Sequence, residues 1–279
     1  MSVHEIRPPV YGPCFSRLYG DVMAVNFFPC GKVCSFDCVY CQCGPTKRKA
    51  ASAEELSKDA ETLAYTPSDI EAALLATDLG KVRTLVVSGN GEPLLCPGLT
   101  QSLSVIQHVR NTRYRHLKLV LLSNGSCLRQ ELLATLESFD ELVFKLDAGD
   151  EKTLAAVNKP LPDLKLATLV QRLRMFSRFK LRTAVLAENL ESLRSMSYAE
   201  IVNELRPAEL TLYPVDRPIP GQPGMSVPDS CLHSLADELR ESIAVPIRVI
   251  SHSRPRGTHP MACPSAGTPC GLEGNAPTR

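Results

Sequence analysis

Residues 33–44, with the sequence VCSFDCVYCQCG, hold the most informative feature of the chain. Cys34, Cys38 and Cys41 follow the spacing CxxxCxxC, and Tyr40 directly precedes the last of them. A structural zinc site needs four nitrogen or sulfur ligands, which usually come from two CxxC-type pairs. Three thiolates on one short loop can instead bind one iron each of a 4Fe-4S cube and leave the fourth iron open to a small molecule. The spacing therefore favours a chemically active iron–sulfur site.

Composition is typical of a globular α/β protein with no strong charge preference. The 279 residues are 44% hydrophobic and 22% charged, which is enough for a large core, and the formal net charge is +1. Pro8, Pro9 and charged residues stand where a secretory signal would be apolar, and no run reaches the length of a membrane span. We expect a cytoplasmic protein without a membrane partner, whose 11 cysteines serve as metal ligands and buried thiols rather than disulfides.

Short apolar runs rich in β-branched residues alternate with helical patterns along the chain. This alternation is typical of strand–helix units around a parallel sheet, and about six such units are present. Six are too few for a closed eight-stranded barrel, so we predict an α/β partial (β/α)6 parallel barrel with its site at the C-terminal ends of the strands. The predicted strands are residues 22–28, 84–88, 118–123, 141–147, 181–186, 209–215 and, less clearly, 247–250.

Helical patterns fill the segments between these strands. The clearest helix start is Thr66 as N-cap, followed by Pro67 and by Asp69 three positions after the cap. We predict one domain over residues 1–250, with an N-terminal extension, and an irregular tail over residues 251–279 that is rich in proline and glycine. The other predicted helices are residues 99–109, 129–138, 166–176, 198–205 and 228–243.

Polar and glycine residues follow the predicted strands at the edge where the site is expected. The second strand leads into Gly89, Asn90, Gly91, Glu92 and Pro93, where glycines permit a close backbone approach and Glu92 can pair with an ammonium group. These side chains would line one pocket, although each taken alone could also cap a helix or finish a turn. The later strands end in Ser123 and Asn124, in Lys145 and Asp147, in Asn189, and in Asp216 and Arg217.

The cysteine spacing, the aromatic residue before the last cysteine and the position of the loop after the first strand together resemble the radical S-adenosylmethionine enzymes. The resemblance implies that Cys34, Cys38 and Cys41 hold a 4Fe-4S cluster and that S-adenosylmethionine chelates the open iron. Reductive cleavage would give methionine and a 5′-deoxyadenosyl radical that takes a hydrogen atom from substrate, with a flavodoxin or ferredoxin as electron donor. Tyr40 would lie against the adenine, and Gly89–Pro93, where Asn90 replaces one glycine of the family's GGEP motif, would bind the methionine amino group.

By the same resemblance, residues at the ends of the later strands would complete the cofactor pocket. Ser123 and Asn124 would contact the ribose or the methionyl carboxylate, with Lys145 and Asp147 beside them. Asn189, Asp216 and Arg217 would face the substrate, although Asp216 and Arg217 could equally form a local ion pair.

A nearer resemblance rests on YGPCFSRLYG, CSFDCVYCQCG, GNGEP, SNG, KLDAGD and YPVDRP, which occur in that order between residues 11 and 218. Together these segments resemble Fe-S oxidoreductases related to the wyosine-tRNA synthases, which implies tRNA as a substrate class. That group carries a second cluster on an upstream trio of cysteines, whereas only Cys14 and Cys30 lie upstream here. Basic residues at positions 47–49 could contact phosphates, although such residues are more often only solvated.

Other interpretations stay open at this stage. Within the same chemistry, the chain could be an activase or maturase that acts on a protein or peptide. From another class, it could be a non-catalytic electron-transfer or zinc protein in which Cys30 or Cys43 supplies a fourth ligand. A second metal site is also conceivable, since His252, His259, Cys263 and Cys270 carry suitable donor atoms at wide spacing.

Overall fold

The apolar runs of the sequence form one large sheet in the computed structural model, which describes residues 8–57, 64–215 and 226–252. The predicted strands are present with ends that shift by at most three residues, as expected where pairing rather than composition decides the last residue. Within the described ranges the strands are β1 (Val10–Ser16), β2 (Gly20–Val25), β3 (Val33–Cys34), β4 (Arg48–Lys49), β5 (Thr84–Val87), β6 (Lys118–Ser123), β7 (Glu141–Lys145), β8 (Lys180–Val185), β9 (Leu210–Pro214) and β10 (Ile247–Val249).

Eight of these strands pair in the order β1-β2-β5-β6-β7-β8-β9-β10. Every neighbouring pair from β2 to β10 is parallel, and β1 alone runs antiparallel to β2. Strands β2 and β5–β9 are the six repeats that the sequence predicts, and β10 is the less clear seventh, so the mostly parallel α/β fold is confirmed. Strand β1 was not predicted because Gly12 and Pro13 interrupt its pattern, and its register shifts between Tyr11 and Cys14.

Helices connect successive parallel strands, as a right-handed βαβ arrangement requires. Among them α3 is four residues longer than predicted, whereas the predicted 129–138 helix is split into a 3-10 turn at Gln130–Leu132 and a single α-helical turn. The α-helices of the described residues are α1 (Ala53–Ser57), α2 (Pro67–Ala76), α3 (Leu99–Arg113), α4 (Leu133–Leu136), α5 (Glu151–Thr153), α6 (Leu166–Leu173), α7 (Leu190–Arg194), α8 (Met196–Leu205) and α9 (Asp229–Arg240).

The start of α2 has the capping box that the sequence predicts. The Thr66 side chain accepts a hydrogen bond from the Asp69 backbone at 3.2 Å, and the Asp69 carboxylate accepts one from the Thr66 backbone at 2.9 Å. Pro67 occupies the first turn, where its missing N–H leaves no bond unmade. Together these contacts satisfy two backbone donors of a helix end, which stabilises it by about 1 kcal/mol.

Each central strand is buried on both faces. Helices cover one face, and side chains inside the barrel cover the other. Met23, Val25 and Leu85 belong to the main core against the helices. The alternate residues Val22, Val86, Val120 and Val143 form a separate apolar cluster on four adjacent strands. This two-sided burial explains why the strand sequences are continuously apolar rather than alternating.

The N-terminal end of the barrel is filled by an ion-pair network around Glu141. Tyr19 and Lys118 both donate hydrogen bonds to this carboxylate, and Lys180 lies 3.3 Å from it. A cavity of about 100 Å³ remains beside them, lined in part by Glu209. These ion pairs occupy the N-terminal end of the barrel. A functional site is therefore expected at the C-terminal ends of the strands.

None of the helices in the described ranges is both long and apolar enough to cross a membrane.

Candidate functional site

The cysteine loop lies at the C-terminal end of the barrel, where the sequence places it. Backbone hydrogen bonds tie it to the segment after β7: Asp37 N–H donates to Asn158 O at 3.0 Å, Val39 N–H to Val157 O at 2.9 Å, and Leu161 N–H to Ser35 O at 3.0 Å. Residues Leu154–Asn158 form a π-helical turn. Such turns are rare and often occur at functional sites.

A second short sheet covers the cysteine loop from the other side. Strand β4 pairs in parallel with β3, so that Val33 lies opposite Arg48 and Cys34 opposite Lys49. Thr46 reinforces the contact by donating its N–H to Asp37 at 2.7 Å and its hydroxyl to Phe36 O at 2.6 Å. The basic segment after the cysteines is therefore partly a strand that supports the loop.

The turn at residues 89–93 packs directly against the cysteine loop. Val33 N–H donates to Asn90 O at 3.1 Å, and Glu92 N–H donates to Val33 O at 2.9 Å. A Cβ atom on Gly91 would lie 1.7 Å from Val33 O, and the φ of Gly91 is +123°. The sequence predicts a close backbone approach to a ligand, and the approach that the structure shows is to the backbone of Val33.

Glu92 joins the ends of β5 and β6 within the site. Its carboxylate accepts hydrogen bonds from Ser123 Oγ at 2.7 Å, from Asn124 N–H at 2.8 Å and from Leu94 N–H at 3.0 Å. Only 2% of Glu92 is exposed, and this burial raises the pKa of its carboxyl above the ordinary value, against the opposing effect of the three donors. Both oxygens are engaged by the protein, so the predicted pairing of Glu92 with an ammonium group stays a prediction.

Two asparagines donate hydrogen bonds to cysteine sulfurs. Asn124 Nδ2 lies 3.5 Å from Cys34 Sγ and 3.1 Å from Ser35 Oγ. Asn158 Nδ2 lies 3.5 Å from Cys38 Sγ and 2.7 Å from the Asp147 carboxylate. Hydrogen bonds to thiolate ligands orient them and tune the redox potential of a bound cluster.

A buried network connects Tyr40 to the end of β7. Tyr40 Oη donates to Asp147, which also accepts from Ala184 N–H at 2.8 Å. Lys145 Nζ lies 3.7 Å from the Asp147 carboxylate, 4.2 Å from the centre of the Tyr40 ring and 2.5 Å from Tyr213 Oη. The structure thus brings together Tyr40, Lys145 and Asp147, which the sequence predicts in one pocket.

The three cysteines differ in their electrostatic surroundings. Burial raises the pKa of Cys34 well above the ordinary thiol value and that of Cys38 to about 11. A hydrogen bond with Cys43, together with the charge of Lys32, lowers the pKa of Cys41 to about 5. Metal coordination removes the proton from a thiol outright.

Lys32 supplies positive charge beside all three thiols. Its side chain is 3% exposed, and its Nζ lies 3.2 Å from Gly44 O and 3.5 Å from the Asp37 carboxylate. Burial would lower the pKa of Lys32, but the charges of Cys41, Cys34 and Cys38 outweigh it and raise the pKa above the ordinary value. A buried cation of this kind offsets the negative charge of clustered thiolates.

The residues present fit a 4Fe-4S cluster better than a single ion. Within residues 8–57, 64–215 and 226–252, no three His, Cys, Asp or Glu side chains form a group that could hold one metal ion. A cube binds each thiolate on a different iron, so its three cysteines need not converge on one point. Cys34, Cys38 and Cys41, with a cation and two N–H donors around them, are the residues that would hold it.

The remaining predicted residues have varied positions. Asn189 is fully buried and binds backbone only: its amide donates to Asp147 O at 2.9 Å and to Ala184 O at 2.8 Å, and accepts from Leu186 N–H at 2.9 Å. It therefore holds the turn after β8, and its predicted substrate contact is not tested. Cys14 packs on the inner valine cluster. Asp216, Arg217, His259, Cys263 and Cys270 lie outside the described residues.

Sequence reasoning missed Lys32 and Asn158 as members of the site, and it named Tyr213 only as the first residue of the YPVDRP segment at a strand end. Lys32 stands two residues before Cys34 and could have been noticed as a cation inside a cysteine-rich segment. The contacts of Asn158 with Cys38 and of Tyr213 with Lys145 carry no local signal, because the partners are 120 and 68 residues apart. Only the closing of the sheet brings these pairs together.

A partial α/β barrel with three cysteines at the mouth defines a class of iron–sulfur enzymes, and the comparison with known families identifies it. The sequence model of the Radical SAM superfamily matches residues 28–206. The chain therefore belongs to the Radical SAM superfamily, whose members are enzymes that use a 4Fe-4S cluster and S-adenosylmethionine. The predicted family and cofactors are confirmed.

Curated relatives carry the name UPF0026 protein. The chain is 28% identical to the one from Methanocaldococcus jannaschii over 75% of this chain and 64% of that protein. It is 36% identical to the one from Helicobacter pylori (strain J99) over 56% of this chain and 48% of that protein. The chain thus spans between about half and two thirds of the length of these relatives.

Solved structures show the same fold at low sequence identity. A radical SAM methyltransferase from Sphaerobacter thermophilus superposes with a TM-score of 0.58 at 16% identity, covering 82% of this chain and 66% of that one. Streptococcus suis SuiB bound to S-adenosylmethionine gives a TM-score of 0.55 at 12% identity, covering 80% and 49%. At this identity the likeness concerns the fold alone.

Proposed function

We propose that this chain binds a 4Fe-4S cluster through Cys34, Cys38 and Cys41 and cleaves S-adenosylmethionine reductively to start hydrogen abstraction from a substrate. The observation that carries the proposal is the placement of these three thiols on one loop at the barrel mouth, with Asn124 and Asn158 donating to two of the sulfurs. The bound cluster supplies the electron that splits the sulfonium into methionine and a 5′-deoxyadenosyl radical.

The protein's own contribution is orientation, charge balance and exclusion of water. Lys32 offsets thiolate charge, and the turn at residues 89–93 fixes the cysteine loop through the backbone of Val33. Tyr40, Lys145 and Asp147 form a buried polar wall next to Cys38. Such a dry, preorganised pocket keeps a reactive intermediate away from solvent.

The substrate and the electron donor follow from the nearer resemblance to wyosine-related oxidoreductases. A tRNA base is the substrate class that this resemblance suggests, and the exposed Lys47 and the partly exposed Lys49, beside the cysteine loop, could contact phosphates. A flavodoxin or a ferredoxin is the expected one-electron donor. A protein or peptide substrate, as in an activase or maturase, is the alternative within the same chemistry.

The non-catalytic zinc alternative has less support. It needs a closed set of four ligands with Cys30 or Cys43 as the fourth. Within the described residues no three His, Cys, Asp or Glu side chains form a group that could hold one metal ion, and Cys43 Sγ contacts both Cys41 and Gly89 O, the latter at 3.4 Å.

The test uses anaerobic reconstitution with iron and sulfide, followed by dithionite reduction in the presence of S-adenosylmethionine. Wild type, Cys38→Ala and the matched control Cys96→Ala are compared, because Cys96 is a fully buried thiol outside the CxxxCxxC motif. We expect methionine and 5′-deoxyadenosine from wild type and Cys96→Ala, and none from Cys38→Ala. A reconstituted wild type that neither binds nor cleaves S-adenosylmethionine would contradict the proposal and favour electron transfer.

A further inference from the structure

Arg182, on the inner face of β8, is a partly buried cation for which residues 8–57, 64–215 and 226–252 supply no counter-ion. Its Nε atom is fully buried and has no hydrogen-bond partner in these ranges. Its guanidinium stacks on the Tyr213 ring, with Cζ 4.2 Å from the ring centre. No ion pair formed among the described residues includes Arg182. A partly buried charge left in this state costs free energy unless something else pairs with it.

A second cation lies next to Arg182. Lys145 on β7 is its direct partner in the parallel register, so the two Cα atoms are about 5 Å apart on adjacent strands. Lys145 Nζ lies 5.1 Å from the centre of the same Tyr213 ring that Arg182 covers. Two cations therefore face one aromatic side chain inside the barrel.

The nearby carboxylates are already engaged elsewhere. Asp147 lies 3.7 Å from Lys145 but accepts hydrogen bonds from Tyr40, from Asn158 and from a backbone N–H. Glu141 and Glu209, toward the N-terminal end, both pair with Lys180. Asp147 and the Cys38 thiol are thus the acidic groups next to Lys145, and neither of them forms an ion pair with Arg182.

We propose that Arg182 and Lys145 form a binding site inside the barrel for a carboxylate or phosphate group of a ligand. A guanidinium presents two parallel N–H donors to such a group, and the neighbouring ammonium adds charge. The inference rests on the proposed function, since it names the chemistry of a molecule held below the cysteine loop. We assign the anion to the substrate, because the methionine carboxylate of S-adenosylmethionine has the same chemistry but belongs to the cofactor pocket already described.

The test measures anion binding by the full chain with inorganic phosphate as the probe, using calorimetry and the thermal unfolding midpoint. Wild type is compared with Arg182→Gln and with Arg178→Gln, which removes the same charge from an exposed position. We expect phosphate to raise the midpoint of wild type and Arg178→Gln, and Arg182→Gln to bind it at least tenfold more weakly. Arg182→Lys keeps the charge without the two-pronged geometry and should lie between them, which preserves the test if the glutamine variant folds poorly.

S-adenosylmethionine binding by the reconstituted proteins then identifies the source of the anion. Loss of phosphate binding alone in Arg182→Gln supports a site for a substrate group, whereas a parallel tenfold loss of S-adenosylmethionine binding would assign the anion to the methionine carboxylate and overturn the inference. Equal phosphate binding by wild type and Arg182→Gln, or none by wild type, would overturn the inference. Phosphate binding needs no cluster, so a protein that fails to cleave S-adenosylmethionine defeats the proposed function without deciding this one.

Discussion

Gly91 offers the sharpest test of how the turn at residues 89–93 is joined to the cysteine loop. In Gly91→Ala the new Cβ would start 1.7 Å from Val33 O, and real Cβ contacts are essentially never closer than 3.0 Å. The two segments must therefore separate by about 1.3 Å, the difference between these distances. The variant also places an alanine at a φ of +123°, which L-residues rarely adopt.

The expected cost follows from the contacts that this separation breaks. The hydrogen bonds between Val33 N–H and Asn90 O and between Glu92 N–H and Val33 O would lengthen beyond bonding distance. Each buried group left without a partner costs about 1–3 kcal/mol, and the strained backbone adds about 1 kcal/mol. With two such bonds broken, we expect Gly91→Ala to lower the free energy of unfolding by about 3–7 kcal/mol.

Gly20→Ala is the matched control. Gly20 has a φ of +71°, but a Cβ there would meet no atom within 4 Å. This variant carries the conformational cost without the clash and should lower the free energy of unfolding by about 1 kcal/mol. Urea unfolding under reducing, anaerobic conditions measures both, and iron content after reconstitution reports on the loop. A difference below about 1 kcal/mol between the two variants would refute the reasoning.

Three further predictions concern charge and sulfur contacts. Burial would raise the pKa of Glu141, but the hydrogen bonds from Lys118 and Tyr19 lower it overall, so its stabilisation is present above the unfolded pKa and is lost as pH falls through the lower folded value. Glu141→Gln should therefore cost about 3 kcal/mol at pH 7 and progressively less below about pH 4, measured by urea unfolding against pH, whereas a constant difference would contradict this. Lys32→Met removes a positive charge beside the thiolates, so it should make the reduction potential of the reconstituted cluster more negative by about 60 mV, a tenfold change in the one-electron equilibrium. Lys32→Arg keeps the charge and should stay close to wild type. A redox titration followed by electron paramagnetic resonance measures both variants. Asn158→Ala removes a hydrogen bond to the buried Asp147 carboxylate and one to Cys38. It should lower the free energy of unfolding by about 2 kcal/mol and reduce the iron retained after reconstitution. Unchanged iron retention would show that the hydrogen bond to the Cys38 sulfur does not help to hold the cluster.

The sequence signals that point to the candidate site are local. CxxxCxxC lies within eight residues, and the glycine turn and the polar strand ends directly follow runs whose apolar character marks a parallel sheet. The Thr66 capping box is equally local, and the structure reproduces both of its hydrogen bonds. Strand β1 escaped prediction because Gly12 and Pro13 are read as turn residues when their partner strand is not known.

From the sequence alone, the thiolate spacing predicted a 4Fe-4S cluster, and the resemblance of its motifs predicted S-adenosylmethionine and the family, because these signals lie in neighbouring residues. Tertiary structure decided which distant residues come into contact at the site. Asn158 donates hydrogen bonds to Cys38 and Asp147, and Gly91 packs against the backbone of Val33. Arg182 and Lys145 both lie against the Tyr213 ring. These contacts connect residues on different strands and turns. Their formation depends on register and on which face each side chain takes, and a one-residue shift would move every side chain of a strand to the other face.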